Sequence, residues 1–156
     1  MNHPSSSSSS AQPPPAPAVA VEATSLAPGF RFHPTDEELV SYYLKRNVIS
    51  RPLNVDAISH VDLYKLQPCD LRAHSHICSI DSQWYFFNRL DRKHAYRART
   101  NRATSGGYWK TTWNDMEVRH GPRLVGMMST LIFHEGRAPT GERTICVMHE
   151  YRSRGR

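Results

Sequence analysis

Seven cations, Arg89, Arg92, Lys93, Arg97, Arg99, Arg102 and Lys110, fall between positions 89 and 110 against a single acid, Asp91. That window carries +6, which equals the formal charge of the whole chain. The remaining segments therefore sum to zero, and the basic character of the protein belongs to one stretch of its surface. The chemistry such a stretch offers is polyanion binding. Five of the seven are arginines, whose planar forks bind a phosphate or a guanine edge through two parallel hydrogen bonds, whereas lysine acts as a point charge. The bland alternative is a solvated loop. Ordinary surfaces interleave both signs, and this one does not.

Other chemistry is poorly supported. His134-Glu135-Gly136-Arg137 lacks the second histidine of a HExxH zinc site, and Ser105-Gly106-Gly107 with Lys110 lacks the spacing of a phosphate-binding loop. Cys69, His74, His76 and Cys78 lie close together, but their spacing matches no standard zinc site, and ligands at 76 and 78 would strain a tetrahedron. We expect no catalytic residues, no metal and no cofactor. Three widely spaced cysteines make no disulfide framework and point to a reducing compartment.

The elements that position the basic stretch can be read in order. Residues 1–25 are a serine run followed by a Pro/Ala tract, which buries too little apolar area to offset its ordering entropy. They are expected to be a disordered arm and, having neither a basic start nor a continuous apolar run, not a secretory signal. In residues 28–34, Phe30 and Phe32 share one face of a short extended piece while Arg31 points the other way. Thr35-Asp36-Glu37-Glu38 then reads as a capping box that starts a helix, with Leu39, Tyr42, Tyr43 and Arg46 along one side and Pro52 limiting its length. Residues 55–71 read as a short helix or turn, an extended piece and another turn. Residues 83–87, Gln-Trp-Tyr-Phe-Phe, read as a strand covered on both faces.

After the basic stretch, Gly106-Gly107 permits a tight turn into a strand over 108–114. Its alternation puts Tyr108, Lys110 and Thr112 on one face and Trp109, Thr111 and Trp113 on the other. Strands at 116–118, 124–135 and 144–151 follow, separated by Gly/Pro turns. Helices first and an antiparallel sheet afterwards define an α+β domain of about 130 residues, residues 26–156. No apolar run approaches the roughly 20 residues of a membrane span.

Five collinear pieces carry a family resemblance: LAPGFRFHPTDEELVSYYL (26–44), ISHVDLYKLQPCDL (58–71), WYFFNRLDRKHAYRARTNRATSGGYWK (84–110), VGMMSTLIFHEGRAPTGERT (125–144) and VMHEYR (147–152). The chain resembles the NAC domain of plant transcription factors. The resemblance implies a twisted antiparallel β-sheet flanked by helices, nuclear location, no catalysis and no zinc. It also implies double-stranded DNA as partner, with an edge strand entering the major groove at sites with a CGT-type core. Its DNA contacts fall on Lys93, Arg99, Arg102 and Lys110, with Thr112 and Asn114 on the same strand. Dimerisation, with a second copy or another NAC protein, is implied through a short strand at Pro28, Gly29, Phe30 and Arg31 and an intersubunit ion pair between Arg31 and Glu38. Glu38 is thereby claimed twice, as cap and as dimer contact.

The departures are informative. The family's usual WKATGKD is Trp109-Lys110-Thr111-Thr112-Trp113-Asn114-Asp115 here, so tryptophan stands for glycine and asparagine for lysine. A lysine pair is replaced by Met128 and Ser129, another lysine by Thr140, and an Asp-Trp pair by Ile145-Cys146. These changes imply fewer cations near the DNA side. Trp113 must either join Trp109 in the core or stand outward and fill the groove. The family's variable regulatory tail has no counterpart before Arg156. Two readings follow: a dimeric sequence-specific DNA-binding regulator, or a truncated domain that dimerises with full-length relatives and modulates them while binding DNA weakly.

Overall fold

The computed structural model describes residues 31–77, 82–89 and 102–154. The first element forms where the capping signal places it. Thr35 is extended (φ −73°, ψ 163°) and its hydroxyl accepts the Glu38 amide N–H at 3.2 Å. Asp36, Glu37 and Glu38 crowd the positive end of the helix, where acids are favourable. The run continues through α1 (Asp36–Glu38), a wider π-type turn over Leu39–Leu44 and α2 (Lys45–Val48). This widening changes which side chains face inward. Val40 is the buried one, packed on Val118 and Met128, while Tyr43 and Leu44 pack on a second cluster around Ala57, Ile58 and Phe87. Arg46, placed on the apolar side by sequence, instead covers the Tyr42 ring at 4.6 Å and donates to the Pro52 carbonyl.

A small ribbon follows. β1 (Ser59–Val61) pairs in parallel with β2 (Phe86–Asn88), in the register Ser59↔Phe86 to Val61↔Asn88. Between them lie a 3-10 turn at Leu63–Lys65 and α3 (Pro68–Leu71), which has proline in its first turn, where no amide donor is missed. The strand expected over 83–87 is thus shorter and shifted, and only its Phe87 is buried.

Among the described residues the main sheet has three antiparallel strands in the order β3 (Gly107–His120), β4 (Arg123–Glu135) and β5 (Glu142–Ser153). The twisted antiparallel sheet with short helices on it is the expected α+β architecture. Gly107 opens β3 because a Cβ there would lie 2.2 Å from the His134 carbonyl oxygen. Gly121 (φ 58°) and Pro122 form the two-residue link that sets His120 opposite Arg123. The pieces expected at 108–114 and 116–118 are one strand, interrupted in register only.

β4 is covered on both sides. One face of it carries Leu131 and Phe133, packed with Trp109 and edged by Tyr64, Cys146 and Met148. The other carries Met128 against Val40 and Val118. The helix is tied to that second face by His120 Nδ1 paired with the Glu37 carboxylate and by the Tyr151 hydroxyl donating to Asp36 Oδ1 at 2.6 Å. Burial, then the Asp36 hydrogen bond, push the Tyr151 phenol well above its ordinary range.

Candidate nucleic-acid interface

Among the described residues β3 is an outer strand of the sheet, paired with β4 along one side. On the other side, among the described residues, its start is closed where the Trp109 amide donates to the Arg102 carbonyl at 2.9 Å and Ala103 bridges Tyr108. Alternation holds as the sequence implies through Thr112. Trp109 is buried against Phe133, while Lys110, opposite Ile132, is exposed on the other face. Thr112, opposite Thr130, shares the Lys110 face and donates its hydroxyl to the Thr130 carbonyl at 3.3 Å. Exposed His149 pairs with Thr130 in the next strand and completes that row, a residue the sequence reading passed over.

Past Thr112 the register jumps. Thr112 opposes Thr130 and Met116 opposes Met128, so Trp113, Asn114 and Asp115 together face the single residue Ser129. Trp113 takes a left-handed backbone (φ 56°) and is 77% exposed. Of the two alternatives left by sequence, the indole therefore stands outward and does not join Trp109 in the core. Asn114 is exposed beside it.

Asp115 turns back into the sheet. Its carboxylate accepts the Ser129 hydroxyl at 2.7 Å and the Arg152 guanidinium at 2.5 Å. The Ser129 hydrogen bond, then that of Arg152, hold the carboxyl below its ordinary range, although partial burial pushes it the other way. Arg152 also approaches Glu150 at 3.8 Å, and Glu150 binds Arg102 at 2.9 Å. The result is a chain of alternating charges lying along one face of the sheet, from the β3 bulge to the segment that feeds the strand. Its signal in the sequence was the i, i+2 pair Glu150 and Arg152 on one strand face.

This arrangement divides the expected contact residues. Lys110 and Thr112 stand together, with Asn114 two positions beyond on the bulge. Arg102 is drawn off from them: its side chain is 10% exposed and its guanidinium is engaged by Glu150 on the opposite face of the sheet. Lys93 and Arg99 lie outside the described residues, as do Pro28, Gly29 and Phe30. Arg31 and Glu38 are both exposed near the helix start. The lysine-replacing residues Met128 and Ser129 are not surface positions at all. Both are buried in the central strand, Met128 in the core and Ser129 on Asp115, so they do not thin an exposed cationic face. Thr140, in the exposed turn before β5, and Asn114, on the bulge, are surface members of that group.

A strand edge offering a lysine, hydroxyls and an amide beside a dense run of cations has the makings of a DNA-binding domain. A family model described as "No apical meristem (NAM) protein" matches residues 27–153. Similar proteins include NAC domain containing protein 50 of Arabidopsis thaliana, 60% identical over 135 residues covering 86% of this chain and 30% of that protein. NAC domain-containing protein 78 of the same plant is 62% identical over 83% of this chain and 23% of its own length. NAC domain-containing protein 54 of Oryza sativa subsp. japonica is 56% identical over 82% of this chain and 20% of its own length. The chain belongs to the NAC family, whose members are typically transcription factors. It spans less than a third of the length of these relatives. Among the described residues no helix is long and apolar enough to cross a membrane.

Proposed function

We propose that this protein is a sequence-specific DNA-binding transcription regulator of the NAC type that works in the nucleus as a dimer. Residues 26–156 are its DNA-binding and dimerisation domain, and residues 1–25 an arm. β3 enters the major groove of double-stranded DNA at a CGT-type core, where Lys110, Thr112 and Asn114 meet base edges and nearby phosphates. Lys93 and Arg99, from the +6 stretch that runs into β3, neutralise phosphates. Arg102 reaches a phosphate only by leaving Glu150, so its first task is to fix the start of the strand. Pro28, Gly29, Phe30 and Arg31, with Glu38, join two copies, or one copy and another NAC protein. No catalytic residue, metal or cofactor takes part.

The observation that carries this reading is the anchoring of β3. Buried Trp109 fixes the strand while its neighbour Lys110 is held outward on a strand that the cationic run immediately precedes in sequence. A gel shift of the purified protein on a CGT-containing duplex and a scrambled duplex at fixed salt tests it. Preference for the first supports the reading, and equal binding to both removes the sequence-specific part. A second reading is favoured by the exposed Trp113 on the same strand: the domain binds DNA weakly and modulates full-length relatives through heterodimers. Adding a full-length NAC partner to the same gel separates the two, since a poisoning subunit lowers the partner's shift.

A further inference from the structure

Two costs meet at Trp113. A left-handed backbone is unfavourable at a residue with a Cβ, and a large indole surface, 77% exposed, is left in water. The bulge cannot readily relax to relieve either. Asp115, two residues on, is tied to Ser129 and Arg152, and Thr112, one residue before, still holds its place opposite Thr130. The indole thus projects from the strand with Lys110 and Thr112 on one side of it and Asn114 on the other, and Met116 is a second exposed apolar side chain farther along.

An apolar projection among groups that suit a polyanion calls for an apolar feature on that polyanion. Phosphates and sugars offer none at the floor of the major groove, and of the four base pairs only those with thymine show a methyl group there. We propose that Trp113 is a specificity residue, its indole packing on the 5-methyl group of a thymine beside the bases met by Lys110 and Asn114. This deepens the function proposed above and rests on β3 entering the major groove. Recognition then combines a cationic tether with one dry contact, and the preference added is for a methyl group rather than for a hydrogen-bonding pattern.

The test uses the full chain and duplexes that carry the CGT core, in which each thymine in turn is replaced by deoxyuridine, which lacks only the methyl. Dissociation constants are measured at fixed salt for the parent, Trp113→Gly and Trp113→Leu. For the parent, one or two replacements should weaken binding about fourfold, the worth of one buried methyl. Trp113→Gly should be indifferent to every replacement, and Trp113→Leu should retain part of the effect. Thermal unfolding of Trp113→Gly at or above the parent's midpoint shows that its indifference is not a loss of fold. A parent that prefers the CGT duplex over a scrambled one, yet ignores every uridine, overturns the inference alone. A Trp113-dependent preference for mismatched or abasic positions also overturns it, because the ring would then be stacking on a base. A parent with no preference for the CGT duplex removes the functional reading and this inference with it.

Discussion

The two outer strands of the main sheet break register in the same way and repair it differently. On β3, Trp113, Asn114 and Asp115 face the single residue Ser129; on β5, Thr144, Ile145 and Cys146 face the single residue Phe133, between the pairs Ile132↔Val147 and His134↔Arg143. Each bulge displays one large apolar side chain, Trp113 at 77% and Ile145 at 97% exposed. The β5 bulge is closed locally. Thr144 donates its hydroxyl to the Phe133 carbonyl at 2.7 Å and accepts the Cys146 amide at 3.2 Å, and Ile145 keeps an ordinary negative φ. The β3 bulge instead needs a positive φ at Trp113 and a carboxylate that reaches across strands to Ser129 and Arg152. A threonine thus closes one irregularity with neutral hydrogen bonds and little strain, while the other depends on charge and on a backbone shape that favours glycine.

The largest effect comes from removing what the two bulges share. Leu131 is fully buried on β4, midway between Ser129 and Phe133. Leu131→Ala should destabilise the domain by about 2–5 kcal/mol through lost transfer energy and the cavity left behind. Urea unfolding checks it, and a loss under 1 kcal/mol would mean that the two sides of the sheet are not held by a common strand. Thr144→Val comes next. It keeps the shape but leaves the Phe133 carbonyl and the Cys146 amide without their partner, at a cost of about 1–3 kcal/mol. An unchanged unfolding midpoint would show that water closes the β5 bulge equally well.

Some of this was legible in the residues. Thr35 with Glu38 announced the helix start, Gly121-Pro122 marked the hairpin, and alternation from Trp109 to Thr112 put Lys110 outward. The bulges were not legible, because a period of two assumes an unbroken ladder, and Trp113 falls in phase with Trp109 only if nothing slips. Nor could the pattern say which end of a face is covered. Lys110 and Val118 lie on the same side of the sheet by their pairing to Ile132 and Gly126, yet one is exposed and the other buried. The helix held by Glu37 and Asp36 packs Val40 on Val118 and Met128, which is a tertiary fact with no local signal. The same holds for Met128 and Ser129, whose replacement of lysines looked like a loss of surface charge until the central position of β4 placed them inside.

Glycine substitution sharpens the contrast between the apices. Trp113→Gly relieves a strained φ and should raise stability by about 1 kcal/mol, with the entropy of an added glycine offsetting part of the gain. Ile145→Gly relieves no strain and should lower stability by about 0.5–1 kcal/mol. Thermal melts of the pair suffice. If both variants moved in the same direction, the positive φ at Trp113 would not be a source of strain.

The smallest effect separates the bulges by pH. Asp115 is held below its ordinary value near 3.8, first by the Ser129 hydroxyl and then by Arg152, so the fold favours its ionised form. A depressed carboxylate contributes stability that is present above its unfolded value and is lost as pH falls through its folded value. Asp115→Asn keeps an oxygen for Ser129 but has no charge for Arg152. At pH 7 it should therefore be less stable than the parent by about 0.5–1 kcal/mol, a modest figure because water reaches much of the ion pair. Below about pH 4 the parent should lose this advantage and the two curves should converge. The deficit of Thr144→Val, which rests on neutral hydrogen bonds, should keep its size over the same range. Urea titrations stepped from pH 7 to pH 3 measure both gaps. An Asp115 gap that stays constant or widens with acid would mean that the β3 bulge, like its β5 counterpart, is closed without charge.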